Sequence, residues 1–147
     1  MVNKQVSNKP IDILLVEDNP GDVRLTQEAL KEGKIQNNLH VVNDGIEALE
    51  FLKTKRNDGI RPDLILLDLN LPKMDGWEVL RVIKQSPAFK RIPVVVLSTS
   101  SAEKDIIESY NRYANCYITK PVDLEQFLTL VKTIEQFWFS VVRLPPQ

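Results

Sequence analysis

Short apolar runs recur along this chain, and four of them lead directly into polar or charged side chains. Runs of this length, bounded by polar residues, are typical of strands that are buried on both faces of a sheet. The segments between them show the spacing of amphipathic helices. Strands that alternate with helices indicate a parallel sheet covered on both faces and joined by right-handed crossovers. The runs and the residues after them are Ile13–Val16 with Glu17 and Asp18, Leu64–Leu67 with Asp68, Val94–Leu97 with Ser98, and Tyr117–Thr119 with Lys120.

The apolar periodicity predicts five units, each a strand followed by a helix. The expected strands are Ile11–Val16, Leu39–Asn43, Asp63–Asp68, Pro93–Ser98 and Cys116–Thr119. The expected helices cover Asp22–Glu32, Ile46–Leu52 after a cap at Asp44, Trp77–Ile83, a segment from a cap at Ser101 to Tyr110, and Leu124–Val142. Residues 1–10 are expected to form a polar tail, and residues 11–147 a single domain with an extended C-terminal helix and tail.

Composition sets the broad class of the protein. With 43% hydrophobic and 27% charged residues, the 147-residue chain can form one sizeable core. A net charge of -1 gives no indication of binding to nucleic acid or to an anionic membrane. The polar start lacks the apolar centre of a signal peptide, and no apolar run has the length of about 18 residues that a membrane span needs. The single cysteine, Cys116, fits a reducing compartment, so we expect a soluble cytoplasmic protein.

The acids at the strand ends predict a binding site. In an open parallel sheet, ligands bind at the carboxyl ends of the strands. Glu17, Asp18 and Asp68 would meet at that edge and repel one another, and a hard cation such as Mg²⁺ resolves this repulsion. The alternative is a set of unrelated helix caps and solvated loop acids. The order of these acids with Ser98 and Lys120 along the chain disfavours that alternative.

These residues resemble the receiver domains of bacterial two-component response regulators, over roughly Ile11 to Phe139. The residues that match are Glu17, Asp18, Asp68, Ser98, the Lys120–Pro121 pair, and Leu71–Gly76 as the loop after the family's phosphorylated aspartate. The resemblance implies a flavodoxin-like, doubly wound α/β fold. Its five parallel strands would lie in the order 2-1-3-4-5 with five helices.

The resemblance also implies the chemistry of the acidic edge. Asp68 would take a phosphoryl group from a sensor histidine kinase and form an aspartyl phosphate. Asp18 and Asp68 would bind Mg²⁺ directly, Glu17 through water, and Asn70 through its backbone carbonyl. The chain would be no enzyme, beyond promoting its own phosphorylation and dephosphorylation. Asn70 and Ser100 would influence how long the phosphate survives.

Further roles concern the phosphate and the response to it. Ser98 and Lys120 would each contact a phosphate oxygen, and the Lys120–Pro121 peptide bond would be cis. Ser98 and Tyr117 would form a coupled switch that alters the face made by helix four, strand five and helix five. The alternative for Tyr117 is a half-exposed strand aromatic without a role.

The last predicted helix is more apolar than packing on one sheet face requires. Besides the stripe that would face the sheet, it carries a second stripe formed by Leu130, Phe137 and Val141. We expect this surplus to form a homodimer interface. The alternative is that the tail around Leu144–Pro146 folds back and covers it.

A narrower resemblance is to the small response regulators that partner cyanobacterial phytochromes. It rests on Phe137–Trp138, Leu144–Pro145, the polar loop Arg56–Pro62 and the segment Leu69–Lys73. It implies that a light-regulated histidine kinase is the phosphodonor.

Several rival functions use similar features. A phosphohydrolase of the haloacid dehalogenase type needs a second acid two residues after its nucleophile, and this chain has Asn70 there. A flavin carrier needs a phosphate-binding loop after strand one, where this chain has the acidic segment Glu17–Pro20. A phosphate sink in a phosphorelay stays open. His40, the only histidine, is expected to be structural or exposed.

Overall fold

A computed structural model describes residues 10–32, 36–99, 103–114, 116–119 and 125. The strands are β1 (Ile11–Val16), β2 (Asn37–Val42), β3 (Leu64–Asp68), β4 (Val94–Ser98) and β5 (Cys116–Thr119). The helices within the described residues are α1 (Pro20–Glu32), α2 (Gly45–Asn57), α3 (Gly76–Gln85) and α4 (Glu103–Asn111). The strands form one parallel sheet in the order β2-β1-β3-β4-β5.

The prediction of a parallel sheet with intervening helices is confirmed. The predicted fifth helix, Leu124–Val142, lies outside the described residues except for Glu125. The predicted dimer residues Leu130, Phe137 and Val141 lie outside them as well. Of the polar tail predicted for residues 1–10, only Pro10 is described.

Helix α1 begins at Pro20, two positions before the predicted start at Asp22. Asn19 is the cap, because its Oδ1 accepts the backbone N–H of Asp22 at 3.1 Å and its carbonyl accepts that of Val23 at 3.0 Å. Proline suits the first helical position, where its missing N–H would have no helical partner. The prediction was therefore wrong at this boundary, since it placed the Asn19–Pro20 pair in the loop.

Helix α2 extends through Asn57, so the loop predicted from Arg56 is shorter than expected. Basic residues in its last turn, Lys55 and Arg56, are favourable at the negative end of the helix dipole. The chain then turns at Gly59, whose φ of 80° lies in the left-handed region that glycine adopts readily.

The core lies between the sheet and the helices that pack on it. Its largest fully buried side chains include Leu14 and Ile65 on the sheet, with Leu80 and Ile83 on α3. Burying one such side chain stabilises the fold by about 1.5–3 kcal/mol. This packing holds β1, β3 and β4 rigidly beside one another, and therefore fixes the positions of the polar residues at their ends.

Helices α2 and α3 start at capped ends. The Oδ1 atom of Asp44 accepts the backbone N–H of Glu47 at 2.8 Å, which confirms the predicted cap. Asp75 does the same for Glu78 at 3.0 Å. Both caps lie near the carboxyl edge of the sheet, so they fix where the loops at that edge end.

His40 belongs to the framework of the sheet. Its Nε2 lies 3.1 Å from Oδ1 of Asp12, and its ring packs against Phe51 with 5.1 Å between centroids. These contacts account for His40 structurally, as the sequence predicted. Among the described residues, none of the helices has the length and apolar character to cross a membrane.

Candidate functional site

Three carboxylates converge at the carboxyl edge of the sheet. One carboxylate oxygen from each of Glu17, Asp18 and Asp68 lies within 4.8 Å of the others. Glu17 and Asp18 directly follow β1, and Asp68 ends β3, the neighbouring strand. The sequence predicted this convergence from the apolar runs alone, and the geometry brings the three residues together.

The backbone around these acids continues the hydrogen bonding of the sheet. The N–H of Glu17 donates to the carbonyl of Val42 at 3.0 Å. Next to Asp68, the N–H of Leu69 donates to the carbonyl of Leu97 at 3.0 Å. The acids are therefore attached to ordered strand ends, which limits how far their side chains can separate.

Each buried acid also has a local donor. The backbone N–H of Asn70 donates to Oδ1 of Asp68 at 3.0 Å. The backbone N–H of Asn19 lies 3.3 Å from Oε2 of Glu17 and donates to it. Such bonds compensate part of the cost of burying a carboxylate, because they replace water as the hydrogen-bonding partner.

The cluster fits a divalent metal ion. Two oxygens bound to one Mg²⁺ lie at most about 4.2 Å apart, so a spacing of up to 4.8 Å suits carboxylates that bind directly or through water. Glu17 and Asp68 are buried, whereas Asp18 is exposed and leaves the cluster open to solvent. A bound cation would relieve the repulsion among the three charges.

Ser98 and Tyr117 occupy neighbouring strands. Ser98 ends β4 and is buried, and its Cα partner on β5 is Thr119. Tyr117 is half-buried, packs against the hydrophobic core and pairs with Val96. Since side chains alternate along a strand, the spacing of two residues places Ser98 and Tyr117 on the same face of the sheet.

A side-chain hydrogen bond lies beside the acids. The Nδ2 atom of Asn70 donates to Oγ1 of Thr99 at 3.1 Å. This bond links the residue two positions after Asp68 with the residue after Ser98. Sequence reasoning singled out Asn70 and missed Thr99, which follows an apolar strand in the same manner as the other site residues.

Other predicted site residues belong to parts of the chain outside the described ranges. Lys120 and the Lys120–Pro121 bond lie outside the described residues, and so does Ser100. Their predicted roles stay predictions. The described strand β5 ends at Thr119, directly before Lys120 in the chain.

Asp44 is a further acid at this edge. Its side chain is buried, follows the apolar end of β2, and lies 3.5 Å from Nζ of Lys73. The sequence predicted Asp44 only as a cap. The signal that could have found it is the same one that revealed Asp68, a carboxylate that follows a strand.

Comparison with known proteins identifies the relationships of the chain. Residues 13–132 match the sequence profile of the response regulator receiver domain. Response regulator Rcp1 from Synechocystis sp. is 52% identical over 141 residues, which cover 95% of this chain and 96% of that protein.

Two solved structures have similar folds. The phosphorylated cyanobacterial phytochrome response regulator RcpA superposes with a TM-score of 0.82 at 52% identity, covering 94% of this chain and 100% of that one. The Mn²⁺-bound form of response regulator Rcp1 gives a TM-score of 0.80 at 51% identity, covering 93% and 100%. These similarities confirm the predicted flavodoxin-like receiver fold.

Proposed function

Because this chain belongs to the response regulator receiver family, whose members accept phosphoryl groups, we propose that Asp68 takes a phosphoryl group from a sensor histidine kinase. The observation that carries this assignment is the convergence of Asp68 with Glu17 and Asp18 at one sheet edge. A carboxylate oxygen of Asp68 attacks the phosphorus of the donor. The bond between phosphorus and the donor nitrogen breaks, and its electron pair leaves with the donor.

The acidic cluster would hold the metal ion. Asp18 and Asp68 would bind Mg²⁺ directly, Glu17 through water, and Asn70 through its backbone carbonyl. The bound cation supplies positive charge that offsets the negative charge of the phosphoryl oxygens. Support comes from the spacing of the three carboxylates and from the Mn²⁺-bound form of the related Rcp1.

The remaining site residues would act on the phosphoryl group and on its signal. The Ser98 hydroxyl would donate to one phosphate oxygen and Lys120 would pair with another, with a cis bond between Lys120 and Pro121. Ser98 would then move toward the phosphate, and Tyr117 would rotate with it. Support for this coupling is that the Ser98 and Tyr117 side chains share one face of neighbouring strands.

A surface near this pair suits signal output. Helix α4 and the turn after it expose three large side chains: Ile107 at 52%, Tyr110 at 49% and Tyr113 at 73%. Because α4 contacts β5, the strand that carries Tyr117, a movement of Tyr117 would reach this face through packed elements. Receiver domains generally act as signalling proteins, and a phosphate-dependent surface is how such a domain affects its partner.

The donor kinase is proposed to be of the phytochrome type. This assignment rests on the 52% identity to the cyanobacterial phytochrome response regulator RcpA. A light-regulated phytochrome kinase should transfer its phosphoryl group to this chain faster than an unrelated histidine kinase does. Equal rates from both kinases would contradict the assignment of the partner and leave the role of Asp68 untouched.

Homodimerisation through the last helix is a proposal from sequence alone, with Leu130, Phe137 and Val141 at the interface. Light scattering on the unphosphorylated and phosphorylated chain tests it. A monomeric mass at high concentration in both states would contradict it.

The site assignment is tested with a small phosphodonor. The chain is incubated with acetyl phosphate and Mg²⁺, and the intact mass is followed for the gain of one phosphoryl group. Asp68→Asn should abolish the gain. Asp75→Asn is the matched control, because Asp75 is an exposed carboxylate near the site whose role as a helix cap asparagine can fill. Uptake by the Asp68→Asn variant would overturn the assignment.

Two other functions receive less support. A phosphohydrolase of the haloacid dehalogenase type would need a carboxylic acid at position 70. The side chain there is an amide, and its Nδ2 donates to Thr99. A phosphate sink would share the chemistry at Asp68, and it would differ in that phosphorylation would change no output surface.

A further inference from the structure

An ion pair connects the loop after β3 with the start of α2. Nζ of Lys73, in that loop, lies 3.5 Å from Oδ2 of Asp44. The Asp44 side chain is 6% exposed, whereas that of Lys73 is 66% exposed. A buried carboxylate needs partners, because it has given up its hydration. Lys73 therefore extends along the surface to a charge that the fold has placed inside.

Both carboxylate oxygens of Asp44 have partners, since Oδ2 pairs with Lys73 and Oδ1 caps α2. Its Oδ1 accepts the backbone N–H of Glu47 at 2.8 Å, and Oε1 of Glu47 accepts that of Asn43 at 2.9 Å. The N–H of Glu47 lowers the pKa of Asp44, burial of the carboxylate acts in the opposite direction, and Lys73 lowers it further. The cap bond holds the Asp44 side chain in place, so its second oxygen is a stationary partner for Lys73.

The backbone of Lys73 has an unusual conformation. Its φ is 67°, in the left-handed region that residues with a Cβ atom seldom adopt. The N–H of Met74 donates to the carbonyl of Pro72 at 2.7 Å, so the chain turns tightly across Lys73. Glycine would relieve the strain at this position, but it would leave Asp44 without its cation. The ion pair gives a physical reason for lysine here.

The loop also touches α2 through its backbone. A Cβ atom on Gly45 would lie 2.7 Å from the carbonyl oxygen of Met74 and 2.6 Å from Cγ2 of Val79. The first turn of α2 and the loop are thus in direct contact beside the ion pair. At its other end the loop joins the acidic cluster, since the N–H of Asn70 donates to Oδ1 of Asp68.

We propose that Asp44 and Lys73 are positioning residues for the metal site, because their ion pair fixes the loop that carries the Asn70 carbonyl. This inference rests on the proposed function, in which Asp68 and Asn70 contribute ligands to Mg²⁺. Neither Asp44 nor Lys73 binds the ion. They hold the loop in the conformation in which that carbonyl is presented to it.

The alternative explanation is a direct electrostatic effect of the two charges on the cation. It predicts changes in Mg²⁺ affinity of opposite sign for the two residues. Removing the negative charge of Asp44 would weaken Mg²⁺ binding through space, whereas removing the positive charge of Lys73 would strengthen it. A positioning role predicts that both changes weaken binding, because either one releases the loop. It also predicts that the two effects are not additive, since both variants lose the same contact.

The experiment is a calorimetric titration of the full chain with Mg²⁺. The variants are Asp44→Asn, which keeps a capping side chain, Lys73→Met, and the double variant. Each single change should weaken Mg²⁺ binding about three- to tenfold. This loss is at or below the lower end of the range known for substitution of residues that orient metal ligands. The double variant should bind Mg²⁺ no more weakly than the single variant that has the lower affinity.

Two control variants test whether the change in Mg²⁺ affinity comes from loss of the Lys73–Asp44 ion pair. Lys73→Arg keeps the cation and should bind Mg²⁺ within about twofold of the wild type, because arginine also pairs with carboxylates. Lys53→Met removes an exposed lysine from α2 and should leave the affinity unchanged. If Asp44→Asn does not fold, Lys73→Met and Lys73→Arg decide the question, because position 73 is on the surface.

Three results would overturn the inference. They are opposite shifts for Asp44→Asn and Lys73→Met, additive shifts in the double variant, and wild-type affinity in Lys73→Met. Failure of the proposed function gives a different result. In that case the wild type binds Mg²⁺ and Asp18→Asn does not change the affinity. The two failures are therefore distinguishable in one set of titrations.

Discussion

The side chains of Asn70 and Thr99 are joined by a hydrogen bond of 3.1 Å between Nδ2 and Oγ1. Both residues are exposed, while Asp68, two residues before Asn70, and Ser98, directly before Thr99, are buried. The bond therefore links the residue two positions after the proposed phosphoacceptor with the residue directly after the proposed phosphate contact. This arrangement suggests that Thr99 influences the access of water to a phosphate on Asp68.

The first prediction concerns the lifetime of that phosphate. Thr99→Val removes the acceptor and keeps the shape, so the Asn70 amide loses its anchor and water reaches the phosphate more easily. We expect loss of phosphate to accelerate about two- to tenfold, the factor equivalent to one ordinary hydrogen bond. Intact mass followed over time measures the rate. Thr99→Ser retains the hydroxyl and should behave as the wild type, and equal rates for the two variants would contradict the role of the bond.

The second prediction concerns the contact between α3 and β3. A Cβ atom on Gly76 would lie 2.6 Å from the carbonyl oxygen of Asp68 and 2.5 Å from Cα of Leu69. Backbone atoms cannot move aside easily, so Gly76→Ala should lower the free energy of unfolding by about 1–3 kcal/mol and reduce phosphate uptake. Urea unfolding and the acetyl phosphate assay measure the two effects.

The matched control for this change is Gly21→Ala. A Cβ atom on Gly21 would meet only the side-chain oxygen of Asn19, at 3.1 Å. A side-chain oxygen can move aside more easily than backbone atoms can, so Gly21→Ala should cost less stability than Gly76→Ala does. Equal losses of stability in the two variants would show that the close approach at Gly76 is unimportant.

The third prediction concerns the pH dependence of stability. Burial lowers the pKa of Lys84 to about 8, and its Nζ donates to the carbonyls of Lys90 at 3.1 Å and Ile92 at 2.8 Å. In the unfolded chain the amine returns to its ordinary pKa of 10.5. Between these two values the unfolded state binds more protons than the folded state, so Lys84 makes the free energy of unfolding rise with pH.

Lys84→Met should reduce the increase of the free energy of unfolding with pH, because methionine has no proton to release. Urea unfolding at intervals from pH about 7.5 to 10.5 measures it. Lys53→Met, which removes an exposed lysine from α2, supplies the baseline for the loss of one titrating amine. The same slope in both variants would contradict the assignment of the effect to Lys84.

The fourth prediction concerns Tyr117. If Ser98 and Tyr117 are coupled, adding beryllofluoride and Mg²⁺ as a phosphate mimic should change the environment of the Tyr117 ring. Fluorine NMR of the chain labelled with fluorotyrosine detects this change, and Tyr117→Phe assigns the resonance. Asp68→Asn should abolish the shift. A Tyr117 resonance that stays in place in the wild type would contradict the switch.

The residues that could be predicted from sequence share one property. Glu17, Asp18 and Asp68 each follow an apolar run, and the geometry of a parallel sheet then places them at one edge. No contact between individual side chains was needed for that prediction. The same reasoning located Ser98 at the end of β4.

The residues that were missed depend on loop geometry. Lys73 lies in a loop, where it pairs with Asp44 and its backbone adopts the left-handed conformation, and no periodic pattern signals either feature. The bond between Asn70 and Thr99 likewise joins residues from different loops. The early start of α1 was missed for a local reason, since Pro20 resembles a loop residue until its place after a capping asparagine is recognised.

The pairing of the strands that carry the acids has a consequence for when the site forms during folding. The strands β1 and β3, which carry these acids, pair with each other, and their ends are bonded to β2 and β4, so the acidic cluster forms only after strands distant in sequence have paired. A partly folded chain would present isolated carboxylates, which bind Mg²⁺ poorly. The complete acidic cluster is therefore a property of the folded sheet, and only a folded chain presents all three carboxylates together.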